Sequence, residues 1–198
     1  MNKPSLQKEG IDSIINRVLT KLKFKIMKTL KITFITALLL MLTPSISTAQ
    51  KSTMDFENAA SITTLVSKYV TALQKGDVNT MNAELSKDAM TYGAGGGLDS
   101  LTVKQHKEYF MESTSKYNHA ISRDIYLPVK VTDNWNEGEW VLVWGTNTVT
   151  NKKSGVIIPI PFHIAFLVAD GKISKMYYFY DMLNIMSKEG WSITPPKE

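Results

Sequence analysis

The chain has 198 residues, 43% hydrophobic and 21% charged, which excludes a disordered chain and allows one ordinary domain with an appendage. It holds no cysteine, so disulfides, thiolate catalysis, iron–sulfur clusters and thiolate zinc sites are excluded. Its formal charge of +5 is unevenly spread: residues 1–49 carry eight basic and two acidic residues, whereas residues 50–198 carry fifteen and sixteen.

The basic segment reads as an address. Residues 27–49 start with Met27, carry Lys28 and Lys31, run apolar from Ile32 to Leu42, break at Pro44 and end on Ser47-Thr48-Ala49. That is the three-part pattern of a secretory signal peptide. Its apolar run is well short of the roughly 20 residues that span a bilayer. In residues 1–26, Ile11, Ile14, Ile15, Val18, Leu19 and Leu22 recur at helical spacing beside Arg17, Lys21, Lys23 and Lys25. This fits a basic amphipathic helix on a membrane surface or an upstream extension ahead of a true start at Met27. The expectation is an exported protein, periplasmic or secreted, with one domain over 50–198 and no stable membrane span after cleavage.

In the mature part, Ile62, Leu65, Val66, Tyr69 and Leu73 form one apolar stripe and predict a helix near 58–75. Gly76 suits its left-handed end, and Asp77 caps a second helix near 78–86. A brief strand is predicted at 89–92, followed by the flexible Gly93–Gly97 loop. Thr102 and Gln105 form a capping box that opens a third helix, whose inner face carries Val103, His106 and Phe110, with Tyr117 a further candidate. Four segments rich in β-branched and aromatic residues follow, at 121–134, 139–150, 156–169 and 172–181. Asp170-Gly171 is a two-residue hairpin turn. Helices followed by an antiparallel meander predict an α+β domain.

Counting back from that turn in an uninterrupted register sets His163 opposite Tyr178. One face then holds His163, Ala165, Leu167, Ser174, Met176, Tyr178 and Tyr180, and the other holds Phe162, Ile164, Phe166, Val168, Ile173, Lys175, Tyr177 and Phe179. Both faces are apolar and the helices cover one, so a homodimer through the outer sheet face is expected.

No phosphate-binding, dinucleotide, zincin, nucleophile-elbow or EF-hand motif is present. The three histidines have no metal-ligand spacing, and the basic residues of the mature part form no patch. No cofactor, metal or nucleic-acid partner is expected.

Three segments carry a family resemblance: Tyr69–Asp77, Leu85–Ala89, and Pro161-Phe162-His163 through Asp170-Gly171-Lys172-Ile173 to Tyr180-Asp181. Over roughly 57–190 the chain resembles the nuclear transport factor 2-like superfamily, in its SnoaL-like and ketosteroid-isomerase-like branch. The resemblance implies a cone-shaped α+β fold (a cystatin-like α+β barrel), with N-terminal helices packed in a curved, mainly antiparallel sheet, a pocket at one end and frequent dimers. It matches Tyr69 to the isomerases' oxyanion tyrosine and His163 to their protonated acid. It sets Gly93, which has no side chain, where their general-base aspartate stands. The last-strand acid of the cyclases and hydrolases falls on Tyr178 by the hairpin count.

The implied site is Tyr69, His163 and Tyr178, presenting hydrogen-bond donors to a ligand oxygen, with Phe110, Trp144, Met176 and Tyr92 lining the pocket. The same trio also reads as a hydrogen-bond network that satisfies buried polar groups in a filled cone. Three functions follow. One is an exported domain binding a small apolar molecule. Another is a cofactor-free isomerase, cyclase, dehydratase or hydrolase with His163 as acid/base and Tyr69 or Tyr178 as partner. The third is a structural or protein-interaction module.

Overall fold

The computed structural model of the protein describes residues 51–97, 99–192 and 194, together with Lys21. The chain divides into two units, 1–48 and 49–198. The predicted extension and signal segment lie, Lys21 apart, outside the described residues.

The described unit runs β1 (Lys51–Thr53), α1 (Ala59–Lys75), α2 (Val78–Ala83), β2 (Leu85–Tyr92), β3 (Ser100–Thr102), α3 (Val103–Lys116), β4 (Tyr117–Thr132), β5 (Gly138–Asn151), β6 (Ile157–Ala169), β7 (Lys172–Tyr180) and α4 (Met182–Lys188). The strands form one curved, open sheet in the order β1-β4-β5-β6-β7-β2-β3, antiparallel except for the β2–β7 pair.

Local chemistry sets the helix boundaries. Gly76 takes the left-handed conformation that ends α1 (φ 69°), and the Asp77 carboxylate accepts from Thr80 N to open α2. The Thr102–Gln105 capping box is formed at α3. Two boundaries differ from the sequence expectation. α2 stops at Ala83, because Glu84 O already accepts from Ile173 N and Leu85 pairs with Ile173. β4 starts at Tyr117 with no loop after α3, the backbone turning directly to φ −128°, ψ 146°.

The β6–β7 hairpin turns on Asp170 (φ 50°) and Gly171 (φ 68°), with Ala169 paired to Lys172. Val168 pairs with Ile173, but Leu167 pairs with Lys175. Ser174 is therefore one residue extra on β7, a bulge whose hydroxyl donates to Leu167 O at 3.2 Å. Because side chains alternate with period two, that one residue reverses every later face of β7. His163 pairs with Phe179, and Ile164 pairs with Tyr178. The uninterrupted register of the sequence expectation is corrected accordingly. Ile164, Phe166, Val168, Ile173 and Met176 are buried against α1, whereas Phe179 is 57% exposed.

The core is this inner face closing on Ile62, Val66, Tyr69, Val70 and Leu73 of α1. Phe166 meets the Tyr69 ring edge-on at 5.5 Å. The outer face of the sheet keeps apolar surface open: Trp144 is 41% and Ile125 61% exposed.

The bulge separates two phenylalanines that an uninterrupted register would set on one face. Phe166→Ala is expected to cost about 3–5 kcal/mol and Phe179→Ala less than about 1 kcal/mol, by urea unfolding. Equal costs would contradict the observed register.

Candidate functional site

Between α1, α3 and the inner face of β4–β7 lies a cavity of about 150 Å³, lined mostly by aromatic and aliphatic side chains, among them Tyr69, Phe110, Tyr109, Phe162 and Tyr178. At its wall, Tyr178 Oη and Tyr69 Oη are 2.7 Å apart, and Tyr69 Oη is 2.8 Å from His106 Nε2. His106 Nδ1 lies 2.7 Å from Asn82 Oδ1, and Asn82 Nδ2 donates to Val103 O at 3.2 Å. The chain of contacts thus runs from β7 through α1 and α3 to α2, and each group has a partner.

The elements explain this convergence. Tyr69 lies on the apolar stripe of α1 and is fully buried. His106 lies one turn into α3, on the same face as Phe110, whose ring is 4.7 Å away. Tyr178 faces inward because of the Ser174 bulge.

Burial and the neighbouring Tyr178 raise the Tyr69 hydroxyl well above its ordinary pKa. Burial raises Tyr178 as well and pushes His106 down to about 4. All three groups are therefore neutral near pH 7. A second polar group lines the cavity: His119 Nε2 is 3.1 Å from Ser113 Oγ, and His119 Nδ1 is 3.1 Å from Asn147 Nδ2. Burial lowers the His119 pKa, partly offset by its bond to Asn147. Among the described residues, Asn147 Oδ1 is buried without a hydrogen-bond partner.

Of the residues named from sequence, Tyr69, Tyr178 and Phe110 meet at this cavity. His163 does not. It stands on the opposite face of the sheet, its ring stacked between Trp144 (4.6 Å) and Phe179 (5.7 Å), its Nδ1–H donating to Val143 O at 3.2 Å. The one-residue bulge is the reason. Trp144 shares that outer face, and Tyr92 stacks on Tyr177 at 5.0 Å, away from the cavity. Met176 faces inward but is fully enclosed in the core and does not line the cavity. Gly93, which the sequence resemblance sets at the isomerases' base position, has φ +76°, and a Cβ built there would lie 2.5 Å from Tyr178 O.

Sequence reasoning left out His106 and His119 as site members. His106 was legible on the inner face of α3 beside Phe110, but its link to Tyr69 crosses 37 residues. His119 lies before the predicted start of its strand. Asp181, just past the last strand, caps α4 by accepting from Asn184 N at 2.9 Å. Among the described residues, no group of three or more His, Asp or Glu side chains could hold a metal ion.

No protein-family model matches the sequence, and neither does any curated protein. Solved structures do match in fold. A protein from Xanthomonas campestris pv. campestris assigned as a polyketide cyclase is 18% identical (TM-score 0.56), the match covering 67% of this chain and 98% of that one. An LEH-like epoxide hydrolase of M. tuberculosis is 15% identical (TM-score 0.51; 65% and 89% covered). An NTF2-like protein from Burkholderia xenovorans LB400 is 15% identical (TM-score 0.52; 69% and 98% covered). The fold of this chain is the cone-shaped α+β fold of the NTF2-like superfamily.

The buried imidazole carries a consequence for stability. Between the ordinary histidine pKa of 6.5 and the folded value of about 4 for His106, the unfolded chain binds more protons than the folded one. Stability therefore falls as pH falls through that window and levels off below it. His106 alone should account for about 3 kcal/mol of the loss. Burial also lowers His119 and His163, with the same sign. Urea midpoints near pH 7 and near pH 4.5 should show the fall, and His106→Gln should flatten it; an unchanged slope in the variant would count against this account.

Proposed function

We propose that the domain binds a small, largely apolar molecule, about the size of one substituted ring, in the cavity between α1 and the sheet. The observation that carries this is the cavity itself: about 150 Å³, walled mainly by aromatic and aliphatic side chains around one buried Tyr–Tyr–His network. An apolar cavity of roughly that volume holds benzene.

Binding is favoured over catalysis by the chemistry of the wall. General acid–base work needs a group whose pKa lies near the working pH, in reach of the substrate. His106 is held down to about 4, the cavity tyrosines are raised, and Gly93 leaves the base position without a side chain. His163, the acid/base of the enzymatic alternative, is on the far face of the sheet. Benzene or toluene added to the purified chain should broaden or shift in ligand-observed NMR, and Ile121→Trp, which fills the cavity, should abolish the effect while the circular dichroism spectrum is kept. No effect in the wild type would sink the proposal.

We further propose an exported homodimer joined through the outer sheet face. The signal-like segment at 27–49 supports export. The open aromatic surface at Trp144 and Phe179 supports self-association. Light scattering should give a dimer mass for the wild type and a monomer mass for Trp144→Glu, and cell fractionation should recover a chain beginning near Gln50. A monomeric wild type rules out the first part, and an unprocessed cytosolic chain the second.

A further inference from the structure

We infer that the cavity accepts hydrogen bonds from its ligand, so that it takes a small apolar alcohol or phenol in preference to a ketone, ether or epoxide of the same shape. This rests on the binding function proposed above and specifies its ligand class.

The direction of the wall network follows from its last member. Val103 O is a carbonyl and can only accept, so Asn82 turns its Nδ2 to it, at 3.2 Å. That orients Asn82 Oδ1 toward His106 Nδ1, 2.7 Å away, and an amide oxygen can only accept. Nδ1 therefore carries the imidazole proton, and Nε2 of the neutral ring is an acceptor. Tyr69 must donate to Nε2 across 2.8 Å. With its single proton committed, Tyr69 can only accept from Tyr178, across 2.7 Å. The Tyr178 oxygen is left with a lone pair and no proton for the cavity.

The remaining tyrosines that line the cavity follow the same rule. Tyr109 and Tyr180 both donate to Ala94 O, at 2.6 and 2.7 Å. Tyr117 donates to the Glu189 carboxylate. All five tyrosine protons at the cavity are thus taken by acceptors within the protein. Asn147 Oδ1, buried and without a partner among the described residues, is a further acceptor. His119, whose Nδ1 accepts from Asn147 Nδ2, donates through Nε2 to Ser113 Oγ. The Ser113 hydroxyl proton and the second Nδ2 proton of Asn147 are the side-chain donors left by these bonds, and the oxygen of an alcohol can accept one of them while its own proton goes to Tyr178 or to Asn147 Oδ1.

A ligand carbonyl or ether can take a proton from Ser113 or Asn147 but has none to give, so it leaves the Tyr178 oxygen and Asn147 Oδ1 buried without a donor, which disfavours it. This reverses the expectation from sequence, in which the trio presents donors to a ligand oxygen.

The test compares cyclohexanol, cyclohexanone and benzene, by calorimetry or ligand-observed NMR, on the purified chain. In the wild type the alcohol should bind at least about tenfold tighter than the ketone. Tyr178→Phe should lower that ratio by removing one of the two acceptors, Asn147 Oδ1 being the other. Tyr69→Phe removes the acceptor of the Tyr178 proton and frees it for the cavity, so the ratio should invert in favour of the ketone. A structural role for these tyrosines would not invert it. A wild-type ratio of one or below overturns the inference while leaving pocket binding intact, and so does a wild-type ratio that persists in both variants. Failure of all three compounds to bind overturns the underlying function instead.

Discussion

Ser174 stands between two pairings of β7 that the pleat cannot satisfy together. Near the turn, Ile173 must face α1 beside Val168; farther along, Met176, Tyr178 and Tyr180 must face inward as well. Alternation puts residues 173, 175, 177 and 179 on one side, so inward positions at 173 and 176 require one residue to stand outside the count. The bulge supplies it, and Ser174 secures it with a bond to Leu167 O. Without it, Tyr178 would lie on the outer face and the cavity network would end at Tyr69. The second sheet face, with its His163–Trp144–Phe179 stack, exists for the same reason.

The polar network survives burial because it is complete. A buried phenol or imidazole without a partner is destabilising by about 1–3 kcal/mol, more than a formed bond returns. From Tyr178 to Val103 O each link of the network joins one donor to one acceptor, so the desolvation of two tyrosines, a histidine and an asparagine is offset group by group. Completeness also sets direction. A carbonyl at one end propagates through an amide, an imidazole and two phenols, and determines which atom of Tyr178 the cavity meets. The aromatic faces around His106, from Phe110 at 4.7 Å and Tyr69 at 5.9 Å, hold the ring in the orientation this requires.

What was legible in the sequence was what local chemistry decides. Gly76, Asp77, the Thr102–Gln105 box and Asp170-Gly171 act within four residues of themselves, and each is where the pattern predicts. The α1 stripe delivers Tyr69 because 3.6-residue periodicity survives any tertiary context that buries a helix. The bulge was not legible in this way, since serine is an ordinary strand residue. A signal was nevertheless present. The uninterrupted register sets Lys175 on the same face as Ile164, Phe166 and Val168, the most apolar run of β6, and a lysine there would be buried without a partner. In the structure Lys175 is opposite Leu167 on the outer side. The His106–Tyr69 and His119–Asn147 contacts join residues 37 and 28 positions apart, and no spacing rule reaches them.

Gly93, set by the sequence resemblance where the isomerases carry their base, stands where the backbone leaves no room for a side chain. β2 ends at Tyr92, and the chain there crosses so close to β7 that a Cβ would stand 2.5 Å from Tyr178 O, in a conformation (φ +76°) that side chains rarely adopt. A carboxylate cannot be restored at that position by substitution alone, because the contact is with main chain and cannot rotate away. The carbonyl in the way belongs to Tyr178, whose side chain carries the end of the cavity network. The approach of β2 that excludes a base is therefore anchored on the residue that supplies the acceptor. A cavity lined by neutral tyrosines whose protons are already taken, with no carboxylate at Gly93, is consistent with the proposed binding of a donor ligand without transfer of its proton.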